Sequence, residues 1–136
     1  MKSTTDPWTS LGLLILRLGT GFLLFYGHGL GKITRFSDRL HRFSDPIGLG
    51  PEVSFVLVVF AEVVCATLLA VGLWTRFAAV PIVIFAIVAA FVQHLGDPFP
   101  KKELPLLYGT FALTLVLTGG GMFSLEAVFG KKRGGS

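Results

Sequence analysis

At 136 residues the chain has room for one domain, and 52% hydrophobic residues, only 15% charged and a mean hydropathy of +0.73 exclude an ordinary soluble protein. A single cysteine, Cys65, excludes an internal disulfide and every CxxC, CxxCH or zinc pattern. The net charge of +4 does not point to nucleic acid, because the bases sit at the ends of apolar runs and in one loop, where anionic lipid headgroups are the nearer partner.

Asp6-Pro7 opens the first helix, an N-cap acceptor followed by proline at the first helical position, and Trp8 suits the headgroup boundary. The run is expected to stay in the mature protein and not to be a cleaved secretory signal, since Lys2 is offset by Asp6 and Arg17 interrupts the apolar core. Span one is expected over about 8–28, with Gly27 and Gly31 in a GxxxG spacing that permits close helix approach. Ile33, Phe36, Leu40 and Phe43 recur at steps of three, four and three with Arg35, Asp38, Arg39 and Arg42 between them. That pattern predicts a short amphipathic helix over about 33–43, lying in the interface with its aromatic side in the acyl region.

Pro51 opens span two, about 53–72, and the turn Leu73-Trp74-Thr75-Arg76 returns the chain as span three, about 77–94. Gly96 to Lys102 is a loop, and span four is expected over about 103–119, ending at Gly119-Gly120-Gly121. A last interfacial helix begins at Ser124, with Glu126 near its start, before the basic tail Lys131-Lys132-Arg133. Four spans put both termini on one side. That side carries Lys2, Arg76, Lys131, Lys132 and Arg133; the other carries Lys32, Arg35, Arg39, Arg42, Lys101 and Lys102, diluted by acids, so the balance leans toward cytoplasmic termini.

Only Arg17 and Glu62 fall well inside the expected spans. A lone charge at that depth costs ~2.5–3.5 kcal/mol on insertion scales. Counting ~1.5 Å per residue inward from Trp8 and from Val53 brings the two to one level on antiparallel helices, and an Arg17–Glu62 ion pair is expected inside the bundle. It would serve either as a clasp fixing register or as a proton or substrate relay. His28 follows Arg17 on the same helix face, and His94, Glu103 and Lys32 fall at the same end of the molecule. These four are expected to line a site for a quinone headgroup or another small polar ligand, unless they are plain interfacial anchors. A bis-histidyl haem on His28 and His94 is the less favoured alternative, and no metal site is expected. Thr110, Thr114 and Thr118 repeat every four residues, as backbone-bonding or packing residues in preference to a polar transport path. His41 is expected on the solvated face of the amphipathic helix, and Cys65 as a small apolar filler.

The blocks LRLGTGFLLFYGHGLGK, AEVVCATLLAVGLWTRFAAV and ELPLLYGTFALTLVLTGGGMFSLE, in that order, resemble the DoxX family of small four-span membrane proteins. Arg17, His28, Gly29, Lys32, Glu62, Gly72, Arg76, Glu103, Gly119 and Ser124 stand at the matching places, while Glu126 replaces a more usual aspartate. The resemblance implies a membrane subunit or accessory of a quinone-linked redox system, since the family is named for a subunit associated with a terminal quinol oxidase and thiosulfate:quinone oxidoreductase. It supplies no catalytic residue.

The expected fold is therefore all-α, an integral membrane four-helix bundle with an interfacial helix between spans one and two, in a bacterial cytoplasmic (inner) membrane. No intrinsic cofactor is expected beyond a bound quinone. The expected partners are the lipid bilayer, a soluble redox subunit that brings the electron carrier, and a second copy of the chain. The alternatives are a small-solute transporter or export component and a non-catalytic scaffold.

Overall fold

The computed structural model describes residues 6–134, and every regular element among them is helical. Helix α1 runs Pro7–Thr34. It begins where the sequence places it, with Asp6 Oδ1 accepting from the Thr9 amide at 2.7 Å and Pro7 at the first position. It does not stop near His28. The glycines there are spanned by a π-helical segment, Phe25–Gly29, beyond which the helix continues to Thr34. The other long helices are α3, Pro51–Val71, and α4, Thr75–Gln93. Each also contains a π segment, Phe60–Cys65 in α3 and Ala89–Gln93 in α4. Helix α5 covers Phe99–Thr118 and helix α6 covers Leu125–Gly134.

Three of these helices, α1, α3 and α4, are long and apolar enough to cross a membrane. Helix α5 carries Lys101, Lys102 and Glu103 in its opening turns, so its apolar stretch begins only at Leu104. The four pack in a ring, α1 on α3, α3 on α4, α4 along most of α5, and α5 back on α1. Leu13, Leu24, Leu69, Ile82 and Leu115 fill the centre with Cys65, as expected of a small apolar filler. Ala66, Ala79 and Ala112, fully buried, let the helix axes approach. Phe22, Ile84 and Leu117 point outward, which suits hydrocarbon and not water.

The expected amphipathic helix over 33–43 does not form as one element. Ile33 and Thr34 belong to the end of α1, the backbone breaks at Arg35 (φ −120°, ψ 35°), and only Phe36–Arg39, helix α2, is helical beyond it. Nor do its aromatic residues face the acyl region alone. Phe36 and Phe43 pack against the fully buried Phe55 of α3, with ring centroids 5.2 and 5.3 Å from it, so that each covers part of its ring against protein although Phe36 stays partly exposed. The connection α3 to α4 is the expected tight turn, with Gly72 at φ +76° and Trp74 at φ +50°. Lys2 and the side chains of Lys131, Lys132 and Arg133 lie outside the described residues.

Candidate functional site

The approach of α1 to α3 is set by two glycines that the GxxxG reading passes over. A Cβ on Gly21 would lie 2.5 Å from the Ala66 carbonyl oxygen, and one on Gly29 2.7 Å from that of Glu62; Gly27 and Gly31 face open space. Gly21 and Gly29 therefore fix which residues of α3 stand beside which of α1. In that register Lys32 reaches Glu62, its Nζ donating to Oε2 at 2.7 Å. Glu62 is 1% exposed and Lys32 14%. The second carboxylate oxygen, Oε1, is buried with no hydrogen-bond partner among the described residues. Beside the pair, His28 meets the buried Tyr108 of α5 edge-on, ring centroids 5.7 Å apart. Tyr108 lies within the field of Glu62, and His28 within that of Lys32. Glu62 and His28 both sit in π segments, where the widened backbone turns a side chain off the regular helix face.

Arg17 does not pair with Glu62. Its Nη1 donates to the carbonyls of Ala70 (3.1 Å) and Leu69 (3.5 Å), and its Nη2 to that of Phe123 at 2.6 Å. Leu69 and Ala70 are in the last turn of α3, whose carbonyls have no amide left to bond and where a cation opposes the negative end of the helix. Equal counting from the span ends fails because α1 is the longer helix and overhangs α3. Its Arg17 stands level with Ala70, about 12 Å along the axis from Glu62 at ~1.5 Å per residue. Gly72 leaves room for the guanidinium, which a Cβ there would strike. The carboxylate acting on Arg17 is that of Glu126. Glu126 Oε2 accepts from the first amide of α4, Thr75, and Oε1 from Gly120, both at 3.1 Å, while its own amide donates to the Gly72 carbonyl at 3.0 Å. Ser124 caps α6, and Ser10 of α1 accepts from the Met122 amide. One polar knot thus ties α1, α3, α4 and α6 together.

The DoxX family model matches residues 12–95, most of the segment from α1 through α4. The chain belongs to the DoxX family. An uncharacterized protein of Haemophilus influenzae is similar to it, 29% identical over 131 residues that cover 90% of this chain and 86% of that one. No solved structure matches.

Of the four residues expected to line one headgroup site, this DoxX protein brings Lys32 to Glu62 and His28 to Tyr108 of α5. His94 turns instead to Asp97, Nδ1 to Oδ2 at 2.8 Å, in the loop between α4 and α5. That hydrogen bond holds the Asp97 carboxyl below its usual range. Glu103 is exposed in the opening turns of α5. The loop sends His94 away because α4 ends in a π segment at Gln93, which leaves the histidine just beyond the helix. Tyr108 is the residue sequence reasoning missed, although a lone tyrosine within the apolar part of α5 was a signal available to it. Thr110 and Thr114 donate to Leu106 and Thr110 carbonyls of their own helix, and Thr118 to Gly119, the backbone-bonding role expected of them. His41 is exposed and bonds Glu52 at 2.9 Å. No cluster of three or more His, Cys, Asp or Glu side chains is placed to hold a metal among the described residues.

Proposed function

We propose that this DoxX-family chain is a four-span membrane subunit of a quinone-linked redox system, with α5 as the fourth span, and that Lys32, Glu62, His28 and Tyr108 hold the quinone headgroup. The observation that carries this reading is the buried Lys32–Glu62 pair with one carboxylate oxygen unbonded. An unsatisfied buried acceptor costs ~1–3 kcal/mol and calls for an explanation. Arg17 Nε, Thr20 Oγ1 and Thr75 Oγ1 are also unpartnered among the described residues, but Glu62 Oε1 is the carboxylate oxygen among them and stands beside a partly exposed cation. A quinone suits the donor set. Lys32 keeps two protons to offer a carbonyl oxygen, and Glu62 Oε1 accepts from the hydroxyl of the reduced form, so headgroup binding and proton exchange fall to one pair.

Electrons then come from a soluble partner docking at the membrane surface. The membrane is the bacterial cytoplasmic one in this reading, with both termini on the cytoplasmic side. Titration of the purified protein with a short-tail quinone and with its quinol, followed by tryptophan fluorescence or calorimetry, is expected to saturate. Glu62→Gln should weaken the quinol about tenfold, the equivalent of one lost charge-assisted hydrogen bond to its hydroxyl. Absence of saturable binding, or binding unchanged by Glu62→Gln and Lys32→Met, overturns the reading.

A further inference from the structure

Away from the Lys32–Glu62 pair, two hollows meet at Phe43. The first is an apolar cavity of about 360 Å³ between the loop-side halves of α3 and α4, walled by Leu57, Phe60, Ala61, Ile84 and Val88. The second, of about 460 Å³, is formed by Arg35, Asp38, Arg39 and Arg42, and Phe43 lines both. The loop is held over the junction at two points. Phe36 and Phe43 pack on Phe55, and Ser44 Oγ donates to Gln93 Oε1 at 3.0 Å while Gln93 Nε2 donates to Ser44 Oγ at 2.8 Å. Among the described residues no carboxylate forms an ion pair with any of the three guanidiniums, and the one acid among them leaves the hollow at a net +2, three arginines against Asp38.

A polar, cationic hollow at the level of the loop thus opens beside an apolar cavity that runs toward the middle of the helices. We propose that this junction binds one anionic phospholipid, with its phosphodiester among Arg35, Arg39 and Arg42 and an acyl chain between α3 and α4. Guanidinium groups bind phosphate oxygens in pairs, which a phosphodiester satisfies and a zwitterionic headgroup partly neutralises. The cavity falls within the ~300–1,000 Å³ typical of small-molecule sites, and its lining offers a chain methylenes and almost nothing polar. Loose attraction of basic residues to a charged bilayer needs no cavity. The arginine hollow and the apolar cavity share Phe43 as a wall, and that adjacency is what makes a site for a lipid's two ends.

The full chain in a neutral detergent is challenged with dioleoyl phosphatidylglycerol, dioleoyl phosphatidylcholine, dihexanoyl phosphatidylglycerol and inorganic phosphate, reading retained lipid by native mass spectrometry and protection by thermal unfolding. The expected result is that dioleoyl phosphatidylglycerol binds about tenfold or more tighter than the choline lipid. That preference should vanish in Arg35→Gln/Arg39→Gln/Arg42→Gln. Ile84→Trp, at a position already 57% exposed, should fill the cavity and weaken phosphatidylglycerol binding to a similar degree. The short-chain lipid should bind more weakly than the long one, a comparison that needs no variant. Equal binding of the two dioleoyl lipids overturns the proposal. So does a preference untouched by Ile84→Trp and by chain length, which means surface attraction alone, or protection by inorganic phosphate equal to that by lipid, which means a free-anion site.

Discussion

The two ends of this bundle bury charge in opposite ways. At the end of the termini Arg17 is enclosed completely, three carbonyls accept from its two terminal nitrogens, and the surrounding glycines, Ser124 and Glu126 are bonded into one knot. At the loop end Glu62 is equally buried but satisfied on one oxygen only, and its partner Lys32 keeps an edge open to the outside. Arg17 leaves only its Nε without a partner among the described residues, on a guanidinium that three carbonyls hold in place. Glu62 leaves a whole carboxylate oxygen idle beside a partner, Lys32, that is itself partly exposed. That difference is the ground for proposing a ligand at one buried charge and not at the other.

The largest effect expected from this contrast is at Arg17. Arg17→Leu strips two carbonyls at the end of α3 and one at Phe123 of their donors, and at ~1–3 kcal/mol for each unsatisfied buried group the loss should exceed about 3 kcal/mol. Arg17→Lys should recover only part, because a single ammonium cannot span carbonyls on both sides of Gly72. Denaturant or thermal unfolding in detergent measures both. A mild effect of Arg17→Leu would erase the contrast between the two ends.

Gly29 comes next. Ala at this position drives a methyl toward the Glu62 carbonyl and Val63, and overpacking of this kind costs ~1–3 kcal/mol. Because Gly29 also sets the register that brings Lys32 to Glu62, Gly29→Ala should weaken quinone binding as well, whereas Gly27→Ala, which meets open space, should leave stability and binding unchanged. Parallel unfolding and quinone titrations of the two variants decide it.

The Lys32–Glu62 pair should respond asymmetrically. Removing Lys32 leaves a carboxylate that cannot reach water, and breaking a buried pair in this way costs ~3–5 kcal/mol. Removing Glu62 leaves a lysine near the end of α1 whose long stem can carry its ammonium outward, so Glu62→Leu should cost less than Lys32→Met. The double variant Lys32→Met/Glu62→Leu should be about as stable as wild type while binding no quinone. Stability and binding then part company at this end, as they should not at Arg17.

The family and the rough places of the long helices, the end of α1 apart, were legible in the sequence, because apolar length and turn residues report them directly. That both intrahelical charges would be buried was legible too, but not their levels. The pairing was not. Which charge meets which depends on helix register, and that was fixed by Gly21 and Gly29 touching α3, a choice among the several glycines of α1 that only the packed backbone makes. The π segments were equally hidden, since no residue pattern announces an i to i+5 turn. They carried α1 past His28 and ended α4 just before His94, and so split a foursome that shared one end of the chain's topology. The arginines of the loop were legible as interfacial, but the rings between them found Phe55 because a buried aromatic lay within reach.

The smallest effect tests that split. Asp97 has its pKa held below the usual carboxylate value by the His94 bond, with the nearby Lys101 and Lys102 charges acting in the same direction. A carboxyl whose folded value is depressed stabilises the loop above its unfolded value, and the contribution disappears as pH falls through the folded one, so the His94–Asp97 contact should be intact at neutral pH and lost only in acid. In carbonyl-detected NMR, His94→Ala should move the Asp97 titration upward toward that of an unperturbed carboxylate and leave quinone affinity as it was. If His94→Ala instead weakens quinol binding as much as Glu62→Gln does, the loop histidine belongs to the headgroup site after all. The site would then extend from the buried pair out to the α4–α5 loop, and His94 would have to leave Asp97 when ligand enters.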